Sequence, residues 1–535
     1  MPPTLRTLHP PERRRHFGEL GLWGERTIAE LVAAQAERRP DHLAVADAHV
    51  RLRYGELWES TGRLAALLRD RGVAPGDPVA AQLPSCALLP LVHLACNRLG
   101  ALFVPMSTSW REREVGGLLA AVEARVLIAA AADGDFDLAA MHAALGVRDP
   151  LYVRQPGGLE EAIAAQAPIV DVRPGADEPA HVMVSSGTTG VPKASVWSSN
   201  DVIAMLAHYT REALEIDERD VAGGLAPANL GSTGYVFPVL TPLLLGASSV
   251  LLERWSPAAA LELLARERCT YATAVPTQMV MLLDEPLHEH DLGALTRFNN
   301  AGAPLSPDVA QRVEERIGCR VQTIYGATDG GVPVMTSIAD PDGPRRSSVG
   351  RVCRGQELAL RGAAAPGEPG EVCWRGPTKS FGYLGQPDYD EAAFDAEGWF
   401  RSGDLGVLDG QGYLRIVGRS KDMILRGGTN IFPAETEALL AEHPAVRAAA
   451  VVGVPDARLG ELVCAVIAGE RDPPGLAALC AFLAERGLAR FKHPERLLVV
   501  AELPLNAGGK LDRAAVRELA LVAPSTPTGA GAAHG

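Results

Sequence analysis

At 535 residues the chain is too long for one hydrophobic core, so two or more domains are expected. Apolar residues make up 47% and charged residues 22%, a globular composition that excludes a largely disordered chain. The net charge of −14 argues against a nucleic-acid partner, because phosphate backbones need a basic face.

Arg13-Arg14-Arg15 is the only basic run near the start and reads as solvated surface. No apolar segment of signal-peptide character follows it, which predicts a cytoplasmic protein. From Arg26 onward, helical and short apolar strand patterns alternate. Thr27 to Ala36 has helical spacing, Leu43 to Val45 is strand-like, and Tyr54 to Gly72 is a long amphipathic helix ending at glycine. Pro78 to Leu83 reads as a strand. The apolar stretch Ala87 to Met106 is interrupted by Pro90, Asn97 and Arg98, so it reads as a buried helix and strand, not a membrane span. The rhythm returns at Ser248 to Leu252, Tyr271 to Val275 and Val321 to Tyr325, each after a helix, and implies parallel sheets covered by helices. After Pro344 come Gly-rich turns and short strands such as Gly370 to Trp374. A small α+β unit begins near Lys421, with a helix opened by Pro433 and strands near Ala448 to Val452 and Val463 to Ile467. The small, polar residues 523–535 predict a disordered tail. Eight cysteines lie between Cys86 and Cys480 without a C-x-x-C pair, which suits reduced thiols and gives no zinc signature. No internal repeat is visible.

The segment from Val184 to Ser195 reads V-S-S-G-T-T-G-V-P-K-A-S, directly after the strand-like Ala180 to Val184. Glycines allow close backbone approach, hydroxyls add donors, and Lys193 adds a positive charge, so this is an anion cradle. It is not a Walker A loop, since Pro192 precedes the lysine and Ala194 follows. A strand leading into such a cradle points to a nucleotide. Further clusters follow. Asn300 to Leu305 precedes a helix whose N-cap is predicted at Ser306. Ile324 to Gly331 (I-Y-G-A-T-D-G-G) sits at a strand end, where Tyr325 offers an aromatic face for a base and Asp329 a carboxylate for a cation. Gly398 to Leu405 contains Asp404, G-R-S-K-D begins at Gly418, and Pro504 to Arg513 holds Lys510 on a glycine-rich turn.

Across Thr27 to Arg513 these motifs, in this order, resemble the adenylate-forming enzymes (the ANL superfamily). That family includes acyl-CoA synthetases, aryl-acid ligases, peptide-synthetase adenylation domains and firefly luciferase. The resemblance implies an α/β fold: a large N-terminal domain of two helix-flanked sheets over residues 1–420, with a β-rich subdomain at about 345–420, and a small mobile α+β domain over 421–522. It also implies site roles. Ser185, Ser186, Gly187, Thr188, Thr189, Gly190 and Lys193 would hold the β- and γ-phosphates of ATP. Gly302, Ala303, Pro304, Tyr325 and Gly326 would line the adenine slot, Thr328 would touch the α-phosphate, and Asp329 would ligate Mg²⁺. Asp404 would take the ribose hydroxyls with Arg419 nearby, and Lys510 would bridge the acyl carboxylate and the α-phosphate. Thr188, Asp329 and Lys510 are the candidate catalytic residues. A carboxylate attacking a polyanion must be screened by positive groups, each worth on the order of 3–4 kcal/mol in the transition state. A hinge at Lys421 would withdraw Lys510 after the first half-reaction, and Gly427 and Gly428 would let the pantetheine arm of coenzyme A pass.

The chain departs from the family pattern in three places. Asp329 stands where the family usually has Glu, and Ala194 where a Gly commonly follows the cradle lysine. Gly231 stands where a His or aromatic residue often closes the acyl pocket, which enlarges it. Asn229, Leu230 and Tyr235 are its neighbours, and no acidic residue is present there to pair a substrate amine. The expected substrate is therefore a bulky, hydrophobic carboxylic acid, cyclic, polycyclic or aromatic, of the kind found in specialised metabolism such as antibiotic biosynthesis. The acceptor is coenzyme A or, alternatively, a carrier protein. The oligomeric state is left open, a homodimer being one option, and no membrane span or nucleic-acid partner is expected.

Overall fold

Short polar caps fix where the predicted helices begin. The Thr27 side chain accepts from the Glu30 amide, and the Glu30 carboxylate accepts from the Thr27 amide at 2.9 Å, which closes a capping box on helix Ile28–Arg38. Ser306 caps helix Pro307–Ile317 through Val309 N, as its position predicts. This computed structural model describes residues 11–169, 174–185, 192–225, 233–426, 429–456, 458–469, 473–506 and 511–522. The chain divides into two compact units. The first comprises Met1–Ala359, Cys373–Ser402 and Gly410–Leu414, and the second Leu360–Val372, Gly403–Asp409 and Arg415–Gly535.

The first unit is a helix-flanked α/β body of two large sheets. One contains β1 (Leu43–Ala46), β2 (Arg51–Arg53), β11 (Val221–Gly224), β12 (Ser248–Leu251), β13 (Tyr271–Ala274), β14 (Arg297–Ala301), β15 (Arg320–Ala327), β16 (Gly331–Met335) and β17 (Arg351–Val352). Their order is β17-β16-β15-β14-β13-β11-β12-β1-β2. The other is ordered β10-β9-β4-β3-β5-β8, from β3 (Pro78–Gln82), β4 (Leu102–Met106), β5 (Val126–Ala129), β8 (Leu151–Tyr152), β9 (Pro179–Ser185) and β10 (Lys193–Ser198). A small hairpin of β6 (Ala132–Asp133) and β7 (Phe136–Asp137) stands apart. The centres of both large sheets are parallel, as the alternating pattern predicts. Helix Leu88–Leu99, which links β3 to β4 in sequence, is buried on every side, so its mostly apolar character marks a core helix in which His93, Asn97 and Arg98 are buried as well.

Besides the antiparallel edge pair of β16 with β17, three strand pairs joined by short connections depart from the parallel expectation. β1 with β2, β9 with β10 and β15 with β16 are antiparallel. Each pair is joined by a connection too short for a helical crossover, which forces a hairpin. Two of these hairpins carry the ends of the candidate phosphate cradle and Asp329. A further departure lies at the start, where Pro11–Glu19 is a helix although the alternating pattern begins only near Arg26. Phe17 is its only buried residue, so no periodicity betrays it. Arg13 within it pairs with Glu357 at 3.1 Å and Arg14 with Asp177 at 3.5 Å, so the basic run is partly engaged.

β18 (Glu357–Arg361), β19 (Gly370–Arg375), β20 (Phe400–Leu408) and β21 (Leu414–Arg419) form a four-stranded sheet, and the division into units runs through these strands. The second unit also holds a five-stranded sheet of β22 (Ile424–Arg426), β23 (Thr429–Ile431), β24 (Val446–Asp456), β25 (Gly460–Gly469) and β26 (Arg496–Val500), ordered β23-β22-β25-β24 with β26 on β25. Helices Pro433–Leu440, Leu476–Glu485 and Arg513–Val522 complete it. Its core includes Ile424, Leu440, Val451, Ile467 and Leu483. Among the described residues, no helix is long and apolar enough to cross a membrane. The tail 523–535 lies outside the described residues.

Candidate active site

Ser185 closes β9 and Lys193 opens β10, and the antiparallel register makes them direct partners. Ser186, Gly187, Thr188, Thr189 and Gly190 lie outside the described residues, between these two fixed ends. Gln386 clamps the lysine side of the hairpin. Its Nε2 donates to Pro192 O at 2.9 Å, and its Oε1 accepts from Ala194 N at 3.0 Å. Ala194 is fully buried beside Val182, Val184 and Phe381, so its methyl group packs without crowding and the departure from glycine is absorbed by the core.

Thr328 and Asp329 occupy the tight turn from β15 into β16, and several side chains fix that turn from outside it. Ser195 Oγ lies 2.9 Å from Met183 O and 3.2 Å from Thr328 O, and it accepts from Trp197 Nε1 at 3.1 Å. Ser380 Oγ donates to Asp329 O at 2.8 Å, and Trp374 Nε1 donates to Gly330 O at 2.7 Å. The Asp329 carboxylate thus arrives on an anchored backbone. Its Oδ2 accepts from the Tyr383 hydroxyl and lies 3.8 Å from Lys193 Nζ. The two charged side chains are only 15% and 24% exposed, so solvent screens their attraction less than at an open surface. Lys193 Nζ also stands 4.7 Å from the centre of the Tyr389 ring. Burial, reinforced by the charge of Asp329, pushes the Tyr383 phenol well above its ordinary range and keeps it a donor.

The adenine-slot candidates sit at the carboxyl ends of adjacent parallel strands. β14 ends at Ala301, opposite Ile324 of β15, so Gly302, Ala303 and Pro304 leave the sheet beside Tyr325 and Gly326. Ligands of open α/β sheets bind at such strand ends. Gly302 adopts φ +87°, a conformation glycine permits. Tyr325 is half-buried, with its ring edge-on to Trp374 at 5.9 Å. β11 ends at Gly224 in the same parallel set, and Asn229, Leu230 and Gly231, which follow it, lie outside the described residues. Tyr235 is fully buried. Its hydroxyl meets His93 Nδ1 at 2.9 Å, and the rings of Phe103 and His181 lie beside it.

In the second unit Asp404 lies on β20, and its carboxylate Oδ1 meets Arg419 Nε, at the end of β21, at 2.8 Å. Asp404 is 9% exposed, whereas the Arg419 side chain is mostly solvated. Lys421 is exposed on the turn Ser420–Asp422. Gly427, Gly428 and Lys510 lie outside the described residues. The chain on either side of Lys510 closes through an antiparallel bridge, Leu505 to Leu511. Arg513 then pairs with Glu437 at 2.6 Å and Asp422 at 3.4 Å, so the residues beside Lys510 and those beside Lys421 share one anchor.

Tyr383, Ser380, Gln386 and Trp374 escape the motif reading, and Ser195 closes the cradle segment without a role read for it. They are polar groups inside apolar segments such as F-G-Y-L at 381–384, and local spacing does not tell which strand end they reach. Among the described residues no group of three or more His, Cys, Asp or Glu gathers. A divalent cation held by Asp329 would take most of its other oxygens from phosphate and water. That donor set fits Mg²⁺, which commonly binds through one or two carboxylates plus substrate phosphates.

Residues 32–384 match the AMP-binding enzyme family, and residues 435–510 match the AMP-binding enzyme C-terminal domain. The chain belongs to this family of ATP-dependent, acid-adenylating ligases. The medium-chain fatty-acid–CoA ligase of Escherichia coli (strain K12) is 32% identical over 530 residues, covering 95% of this chain and 93% of that protein. The salicyl-AMP ligase / salicyl-S-ArCP synthetase of Mycobacterium tuberculosis is 33% identical over 541 residues, with 96% and 94% covered. The ATP-bound crystal structure of MatB from Rhodopseudomonas palustris superposes with a TM-score of 0.82 at 28% identity, covering 92% of this chain and 98% of that one.

Proposed function

We propose that the protein activates a bulky, hydrophobic carboxylic acid, cyclic, polycyclic or aromatic, and transfers it to coenzyme A. The acid's carboxylate oxygen attacks the α-phosphorus of ATP, the bond to the bridging oxygen breaks, and pyrophosphate leaves. The coenzyme A thiol then attacks the acyl carbon and AMP departs. The observation that carries the first step is the meeting of Ser185, Lys193, Thr328 and Asp329, where two hairpins converge in one unit.

In this reading Ser185, Lys193 and the hydroxyls of Ser186, Thr188 and Thr189 hold the departing phosphates, with the backbone of Gly187 and Gly190 close by. Gly302, Ala303, Pro304, Tyr325 and Gly326 receive the base, and Asp404 with Arg419 receives the ribose. Asp329 holds Mg²⁺, which supplies charge neutralisation at the phosphates. Lys510 screens the attacking carboxylate. The N-terminal domain ends near residue 420, and rotation about Lys421 exchanges Lys510 for the Gly427-Gly428 segment in the thioester step. Gly231 and its neighbours Asn229, Leu230 and Tyr235 shape the acyl pocket. A cytoplasmic location belongs to the same reading.

Transfer to a carrier protein is the second reading, favoured by the mycobacterial relative, whose name includes carrier loading. One experiment separates the two. The protein is incubated with ATP, Mg²⁺ and a panel of aryl and polycyclic acids, with and without coenzyme A, and products are followed by mass spectrometry. Formation of acyl-CoA is expected. Acyl-AMP that accumulates in the presence of coenzyme A overturns the synthetase reading in favour of the carrier protein, and pyrophosphate release only with short or amino acids overturns the substrate class.

A further inference from the structure

Lys193, Asp329 and Tyr383 form a closed set before any ligand is considered. One carboxylate oxygen of Asp329 takes both the Tyr383 hydroxyl and the approach of the Lys193 ammonium at 3.8 Å. The Asp329 main chain is held by Ser380 and the next residue by Trp374, so withdrawing the carboxylate by a backbone shift would break these hydrogen bonds. Tyr383 is itself fixed, since its amide donates to Asp390 Oδ1 at 2.9 Å and its ring packs against Phe394. Aspartate has one methylene less than the family's usual glutamate, so its carboxylate stays close to its own backbone, where the phenol meets it.

We infer that Asp329 is the counter-ion of Lys193 until nucleotide and divalent cation arrive, and that Tyr383 is the positioning residue that holds it there. The inference rests on the adenylation reading and adds a coupling to it. Metal-free ATP meets a cradle lysine already neutralised and a carboxylate that repels its phosphates. When a divalent cation accompanies the nucleotide, Asp329 turns its charge to the cation and Lys193 is released to the phosphates. Metal and nucleotide affinities are then linked reciprocally through one ion pair.

Equilibrium dialysis of ATP against the full-length protein tests this, in Mg²⁺ and in EDTA at matched ionic strength. Wild-type protein is expected to bind ATP more tightly in Mg²⁺. Asp329→Asn should bind metal-free ATP about 5-fold or more tightly than wild type and lose most of the Mg²⁺ enhancement. Tyr383→Phe leaves every charge in place and should shift the ratio of the two affinities in the same direction, with its circular dichroism unchanged. Parallel weakening in both buffers, or a wild-type ratio, would mean that Tyr383 is only a packing residue and overturns its positioning role. Metal-free ATP bound no more tightly by Asp329→Asn overturns the counter-ion role. A wild-type protein that binds no ATP in Mg²⁺ overturns the adenylation reading beneath both.

Discussion

Residue choice around Asp329 is set by close approach as much as by chemistry. Gly331 has φ +81°, and a Cβ there would stand 1.7 Å from Thr378 O, so no side chain fits. Gly331→Ala is expected to cost about 3 kcal/mol or more in urea unfolding, whereas Gly18→Ala, with nothing near its Cβ, should be neutral or slightly stabilising. Equal effects at the two positions would contradict this account. Lys379 is a different case. It is buried, its ammonium donates to Gly398 O at 2.5 Å, and burial lowers its pKa to about 8. Because the folded value lies below that of the unfolded chain, the burden is fullest below pH 8 and is relieved as pH rises towards 10.5. The shift corresponds to roughly 3 kcal/mol, from which loss of the Gly398 hydrogen bond subtracts about 1 kcal/mol or more. Lys379→Met should therefore stabilise the protein by about 1–2 kcal/mol at pH 7. That advantage should shrink between pH 8 and 10, as read by denaturant titrations at each pH. The sequence marks Asp329 because a carboxylate in a glycine-rich strand-end turn is conspicuous. It is silent on Tyr383, whose partner lies 54 positions away.

At the scale of elements, hairpins replace crossovers where the site is built. The β9–β10 hairpin returns Lys193 to Ser185, and the β15–β16 turn delivers Asp329 beside it. A run of small residues ending in lysine is legible as a cradle. Its hairpin form is not, because alternating apolar patterns look alike in parallel and antiparallel central strands. β9 also carries His181 into a buried aromatic group with His93 of helix Leu88–Leu99, their ring centres 4.7 Å apart. Burial lowers His181 to about 3 and His93 well below its ordinary value. Below pH 6.5 the unfolded chain takes up protons that these folded imidazoles refuse, so stability falls as pH falls. Each contributes a slope of about 1.4 kcal/mol per pH unit once pH is well below 6.5. His181→Gln should remove one proton's share of the slope between pH 5.5 and 4.5 in urea unfolding. A slope equal to that of wild type would show that His181 is protonated in the folded protein.

For the molecule as a whole, the candidate residues fall on both compact units. Ser185, Lys193, Tyr325 and Asp329 lie in the first, and Asp404, Arg419 and Lys421 lie in the second with the described residues that flank Lys510. The proposed reaction with two nucleophiles suits such a division, because in that reading the group that screens the first must give way to the second. Lys510→Ala is therefore expected to abolish acid-dependent pyrophosphate exchange while largely sparing thioester formation from supplied acyl-AMP. Equal loss of both steps in a quenched-flow assay would refute the assigned role.

The sequence by itself determined the order of motifs, the α/β class and the family, because each rests on local composition: glycines at strand ends, caps at helix starts and apolar runs of strand length. It also determined which charged residues are candidates. Only the tertiary structure decided which of those charges meet. The pairing of Lys193 with Asp329, the Tyr383 hydroxyl on that carboxylate and the burial of Lys379 and His181 all depend on residues brought together across long stretches of chain. Local propensity carries no information about such meetings, since the energy that fixes them comes from packing between elements.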